Sequence, residues 1–283
     1  MQITPVSLPS NFNLFLISDL HKGTVLHHEH GLQQAIDMVA SAPNNFMVIL
    51  GDLAEAITID DKRYDRGSID PRTPVPLLQY QSLATQFKPI KKRILTILEG
   101  NHDWIISNKY GNGIKDILCK ELEVPFGTYS CKLIVNDKKG RLMFKAFLTH
   151  GYGGVNSTAD DPVRREANMQ LMLKRKLNRK AGDTYLMASG HTHKLLIKPP
   201  IKELYLIDDG LRPRQRYNDT DHTSPYIHPD LRWYVNTGSF YKLFTMGESG
   251  YAERHNYDPN ELGFVIVRVE GGKIQNVEKV ILD

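Results

Sequence analysis

Five apolar runs in this chain each end in a knot of polar, chemically versatile residues, and that recurrence limits the folds open to it. NLFLI leads into Asp19 and His21, FMVIL into Gly51-Asp52, RILTILE into Gly100-Asn101-His102-Asp103, FKAFL into Thr149-His150, and YLMAS into Gly190-His191-Thr192-His193. Continuous runs of this length suit strands covered on both faces. HEHGLQQAIDMVASA, PLLQYQSLATQF and GIKDILCKELE, which lie between the runs, read as helices. Strand and helix alternating in this way point to a layered α/β fold. Two stretches read instead as antiparallel hairpins, one around the Asn136–Gly140 turn and one around Gly271-Gly272 near the end of the sequence.

The 283 residues suffice for one large α/β domain, and no linker divides them, so residues 1–283 are expected to form one unit. Three segments read as insertions. Residues 60–76 are rich in charge, Pro and Arg, and 199–230 is rich in turn formers. Residues 161–182 form a cationic helix, VRREANMQLMLKRKLNRK, in which Arg165, Arg175 and Arg179 can share a face. Either the helix packs a Met/Leu stripe inward with its charges solvated, or its basic face walls the active site. A net charge of +4 is compatible with an anionic substrate but too mild to argue for nucleic acid alone. Two cysteines, the absence of a basic leader before an apolar stretch and the absence of a membrane-length apolar run lead to the expectation of a reducing, cytoplasmic setting without membrane association.

Ligands of open α/β sheets bind beyond the strand ends, so the polar tips are expected to converge. Together they offer two aspartates, several histidines and an asparagine. This N/O donor set without sulfur suits Mn, Fe, Zn, Co or Ni better than Mg or Ca alone. It exceeds the needs of one ion, and two ions about 3.5–4 Å apart that share a carboxylate form the arrangement suited to in-line displacement at phosphorus.

The motifs DLH, GDLAE, GNHD, THG and GHTH, in that order between Phe15 and His193, resemble those of the calcineurin-like metallophosphoesterases, and VNTGSF (235–240) and the terminal hairpin fit the same pattern. The resemblance implies a four-layer α-β-β-α sandwich of two mixed sheets. It implies that Asp19, His21 and His193 hold one ion, that Asn101, His150 and His191 hold the other, and that Asp52 bridges them. It also implies two divalent transition-metal ions, Mn before Fe, Zn, Ni or Co, with a metal-bound hydroxide as nucleophile.

His102 then faces the phosphate as proton donor to the leaving oxygen. Glu55, standing where relatives carry a second aspartate, is expected to orient it, with Asp103 as the local competitor. Ala56-Ile57 after Glu55 disfavours a protein phosphatase, in which an arginine follows the acid. The expected activity is a phosphodiesterase acting on a nucleotide or nucleic-acid end. A phosphomonoesterase and a catalytically silent scaffold are the alternatives. His27, His28 and His30 are expected at a solvent-exposed helix start, and His222, His228 and His255 in polar loops, with a reach to substrate by His222 or His228 of the insertion as the minor alternative.

Overall fold

In the computed structural model, which describes residues 1–111, 113–247 and 251–283, all five apolar runs are strands. In chain order the strands are β1 (Gln2–Ser7), β2 (Phe12–Ile17), β3 (Asn45–Leu50), β4 (Ile94–Leu98), β5 (Ser130–Asn136), β6 (Leu142–Thr149) and β7 (Leu186–Ser189). They continue with β8 (Leu195–Lys198), β9 (Leu204–Asp208), β10 (Pro213–Tyr217), β11 (Trp233–Thr237), β12 (Gly263–Glu270) and β13 (Lys273–Ile281). Two mixed sheets result, ordered β1-β5-β6-β7-β11-β8 and β13-β12-β2-β3-β4. Within them β2, β3 and β4 run parallel, as do β6, β7 and β11.

Period-two alternation divides the buried side chains between two covers. Leu14, Leu16, Val48 and Leu50 meet Leu133, Phe144, Ala146 and Leu186 between the sheets. Their chain neighbours Phe15, Ile17, Met47 and Ile49 pack on Leu32, Ile36 and Val39 of α1 (Glu29–Ala40) and Leu83 and Phe87 of α2 (Pro76–Phe87). On the far face of the six-stranded sheet, Phe147, Met187 and Tyr234 pack on Leu173 and Leu177, which lie in the 161–182 segment. The layers therefore run α-β-β-α.

The chain between β4 and β5 holds α3 (Asn101–Tyr110), a π-helical turn over Ile114–Cys119 and α4 (Lys120–Leu122), so the helix read over GIKDILCKELE is only partly regular. α5 (Pro162–Leu177) is the fourth layer. Arg165 turns back to the carbonyls of Ala159 and Asp160, and Arg175 and Arg179 lie exposed. The inward-stripe reading of this helix holds, and the active-site wall does not. Segment 199–230, read as irregular, contains the β9–β10 hairpin, closed by Asp209, whose Oδ1 accepts the N–H of Leu211 and Arg212, and by Gly210 at φ 84°.

The HHEH stretch also departs from expectation. His27 and His28 are buried, and only His30 is exposed. His28 caps α1 by accepting the Gly31 N–H at 3.0 Å, and its other ring nitrogen meets the Asp283 carbonyl at 2.7 Å. Among the described residues, no helix is long and apolar enough to cross a membrane.

Candidate metal centre

The parallel strands β2, β3 and β4 and the parallel pair β6 and β7 all release the chain at one edge of the sandwich, which is how five distant motifs come together. The release is sharp. Asp19, His21, Asp52, His191 and His193 have φ values of 54°, 50°, 50°, 71° and 53°, in the left-handed region that costs most residues energy. Aspartate and histidine are among the side chains that tolerate it best. Main-chain bonds from Asp19 N–H to Gly51 O (3.0 Å), His21 N–H to Asp52 O (3.1 Å) and Lys22 N–H to Leu53 O (2.9 Å) lock the first turn to the second.

The side chains then meet in two groups. In the first, Asp19 Oδ2 accepts from Ser18 Oγ and from the His191 N–H, while its buried Oδ1 has no hydrogen-bond partner among the described residues. That oxygen lies 3.3 Å from Nε2 of His193, which is itself 3.2 Å from Nε2 of His21. In the second, Asn101 Oδ1 sits 3.1 Å from His150 Nε2 and 2.7 Å from His191 Nδ1. Asp52 stands between the groups. Its Oδ1 accepts the His102 N–H (2.9 Å), and its Oδ2 lies 3.3 Å from His150 Nε2 and 3.9 Å from His21 Nε2. The ligand atoms of Asp19, His21 and His193, and those of Asp52, His150 and His191, each fall within 4.8 Å of one another.

Outer partners fix which ring nitrogen faces inward. His150 Nδ1–H donates to Leu50 O (2.8 Å), and His21 Nδ1–H donates to the Glu55 carboxylate (2.6 Å), so both rings turn Nε2 to the centre. Burial opposes charge on every member, yet the attraction between unlike members prevails at several. His150 is pushed up to about 9 by Asp52 and Asp19 despite its burial, and Asp52 is held well below the usual carboxylate range by His150 and His102. For His21 burial wins and lowers the pKa, although Glu55 pulls the other way. An unpartnered buried carboxylate oxygen beside ring nitrogens is a donor set that suits a transition-metal ion.

The expected arrangement around His102 needs two corrections. Its Nδ1–H donates to the main-chain oxygen of Glu55 (2.7 Å), not to the carboxylate, which lies 3.8 Å away because it is committed to His21. Asp103 does not touch the His102 ring. Its carboxylate accepts the N–H of Gly100 (3.0 Å), Leu53 (3.2 Å) and Ala54 (3.3 Å) and the Tyr80 hydroxyl (2.9 Å), so it ties the GNHD turn to the GDLAE turn. Burial and the neighbouring Asp52 push its carboxyl up to about 6. Asn101 opens α3, and Asp103 at the third helical position caps it, so GNHD is a helix start rather than a free strand tip.

A crevice of about 870 Å³ opens over these groups. Arg63 and Asp65 of the 60–76 segment line it, with Lys194, Tyr241, His255 and Tyr257, whereas no α5 residue and neither His222 nor His228 does. His222 stacks on Tyr185, and His228 caps the short turn Pro229–Leu231. Of the three loop histidines, His255 is the one that lines the crevice. Sequence reasoning also missed Arg63, whose Nη1 lies 3.1 Å from His102 Nε2, and Asn236, whose amide holds Ser189 Oγ (3.0 Å) and Gly190 O (2.9 Å) and whose Oδ1 accepts from Thr192 (2.9 Å).

No protein-family model and no curated protein matches the sequence. Among solved structures, Vps29 of Chaetomium thermophilum is similar over 96% of this chain and 93% of its own, at 14% identity and a TM-score of 0.35. NAD nucleotidase (NadN) of Haemophilus influenzae is similar over 96% of this chain at 14% identity and a TM-score of 0.39, and the match spans 50% of its length. Two facing mixed sheets with helices on both outer faces and five motifs at one edge are the four-layer α-β-β-α architecture that the resemblance of the motifs implied.

Proposed function

We propose that this protein is a phosphoester hydrolase that works with two divalent transition-metal ions, manganese foremost, on the phosphodiester of a nucleotide or nucleic-acid end. The observation that carries the reading is Asp52 Oδ2, poised between His150 Nε2 and His21 Nε2 at the junction of two donor groups. Asp19, His21 and His193 would hold one ion, Asn101, His150 and His191 the other, with Asp52 shared. When bound, such ions neutralise phosphoryl oxygens and make water a nucleophile at neutral pH.

The protein's own residues supply orientation and proton transfer. Because Nδ1–H of His102 is committed to the Glu55 carbonyl, proton exchange with the departing ester oxygen falls to Nε2, the ring atom that faces the crevice beside Arg63. Such a transfer contributes on the order of 10²–10⁴-fold. The Glu55 carboxylate serves the metal side instead, by keeping Nε2 of His21 turned inward. Support for a nucleotide comes from Tyr241 and Tyr257, flat side chains on the crevice wall on which a base can stack. Cys119 and Cys131 are buried and unpaired, in keeping with the cytoplasmic location we assign.

Turnover of bis-p-nitrophenyl phosphate and p-nitrophenyl phosphate, with Mn²⁺ and after chelation, tests the reading. Faster hydrolysis of the diester, lost on chelation, is the expected result. The reverse preference reassigns the protein as a phosphomonoesterase. No turnover of either ester with both ions bound makes it a binding scaffold.

A further inference from the structure

The segment between Thr58 and Asp70 has no counterpart in the motif pattern, yet it delivers a guanidinium to the crevice beside His102. Nε and Nη2 of Arg63 grip the Asp61 carboxylate at 3.1 and 2.8 Å, and Asp61 Oδ1 also accepts the Arg63 main-chain N–H at 2.9 Å. This side-on fork immobilises the arginine and leaves Nη1 projecting inward, where it meets Nε2 of His102 at 3.1 Å. The Arg63 side chain is 31% exposed, so it is open to an incoming ligand, while its Asp61 anchor is 13% exposed.

The carboxylates of Asp61, Glu55 and Asp52 keep this guanidinium charged against its partial burial, so the crevice presents a fixed cation beside His102. An anion entering the crevice meets the exposed side of this guanidinium next to His102. With Nε and Nη2 held by Asp61, the Nη1 end is the donor offered to a phosphoryl oxygen, and such charge-assisted bonds are about twice as strong as neutral ones. His102 marks the spot, because its main-chain N–H is on Asp52 and its Nε2 on Arg63, which puts one residue between the metal side and the guanidinium.

We infer that Arg63, held by Asp61, is the substrate-binding residue that grips a non-bridging phosphoryl oxygen and draws the phosphoester against His102. The inference rests on the phosphoesterase reading for its substrate, but it concerns binding and so separates from turnover. It also assigns the 60–76 segment a purpose, the delivery of Arg63 to the crevice.

The experiment measures affinity for inorganic phosphate by isothermal titration calorimetry on Mn²⁺-loaded full-length protein, alongside metal content by mass spectrometry and KM for bis-p-nitrophenyl phosphate. Arg63→Ala is expected to weaken phosphate binding and raise KM by about ten- to a hundredfold, the effect of one hydrogen bond to a charged group, with metal content unchanged. Arg63→Lys keeps the charge but loses the fork and should recover only part of the affinity. Asp61→Asn, with the fork loosened, should fall between Arg63→Ala and wild type. Unchanged phosphate affinity in Arg63→Ala overturns the inference even if wild type hydrolyses esters well, and so does loss of metal from that variant or a wild type that binds no phosphate. A wild type that binds phosphate through Arg63 yet hydrolyses nothing upholds the inference and defeats the phosphoesterase reading instead.

Discussion

Gly100→Ala should disable the centre through one added methyl group. The φ of Gly100 is −106°, which alanine adopts without strain, so the whole effect comes from contact. A Cβ built there lands 2.1 Å from Asp52 Oδ1 and 2.3 Å from Asp52 N, where ordinary contact begins at 3.4 Å. One partner must retreat by more than 1 Å. Asp52 Oδ1 is the oxygen that anchors this carboxylate to the His102 N–H, so its retreat swings Oδ2 out of the junction between His150 and His21. A misplacement of about 1 Å costs on the order of 10²-fold in rate, and overpacking a tight site costs about 1–3 kcal/mol of stability. Turnover of bis-p-nitrophenyl phosphate, metal content and thermal unfolding are measured together. Gly140→Ala is the control, because its Cβ meets nothing within 4 Å and its φ of 80° penalises alanine, so it loses stability without losing activity. Wild-type turnover and full metal content in Gly100→Ala would refute the argument that Asp52 spans both donor groups.

Asp52→Asn should empty both metal positions, whereas His193→Ala should empty mainly one, as metal analysis of the purified variants would show. His102→Ala should keep its metals and lose turnover, less so for p-nitrophenyl than for alkyl esters, because an acidic leaving group needs little proton donation. Equal losses for both esters would leave His102 as an electrostatic clamp. Glu55→Gln should weaken metal retention on the His21 side by about 10–100-fold, the usual cost of losing an outer partner, without changing leaving-group dependence. A leaving-group effect matching that of His102→Ala would return the Glu55 carboxylate to the role first expected of it.

What was legible in the sequence was whatever repeats a simple geometric rule. Apolar runs buried on both faces have one structural solution, and five of them ending in ligand-type residues had to share an edge once the strands were parallel. The 12-residue α2 was legible for the same reason, as was the β12–β13 hairpin, whose Gly271 and Gly272 take φ of 58° and 77° as a tight turn demands. What escaped had no period to read. Arg63 sits in a stretch without regular structure, and nothing in its neighbours tells which of Lys62, Arg63, Arg66 or Arg72 turns inward. The pairing of Asp61 with the residue two positions on, an Asx-type local turn, was the available clue. The role of Asp103 was readable and misread: an acid three residues after a glycine at a helix start is a cap before it is a catalyst.

The left-handed residues tie the fold to its chemistry. A strand that simply continued would send Asp19 and His21 to the same face, one pleat apart, along the sheet. Placing Asp19 and His21 themselves at positive φ curls the exit into a crest, from which acid and imidazole aim at one point above the sheet edge. Each such residue costs on the order of 1–3 kcal/mol unless its surroundings determine it. Here the surroundings are the other crests: Asp19 N–H on Gly51 O, His191 N–H on Asp19 Oδ2, Gly190 N–H on His150 O and Phe240 N–H on Asp19 O. Asn236, fully buried, fastens the GHTH crest from below through Ser189, Gly190 and Thr192. Each crest takes main-chain or side-chain bonds from its neighbours. The donor groups are therefore assembled by folding itself and stand ready before any substrate arrives, as preorganised electrostatic catalysis requires.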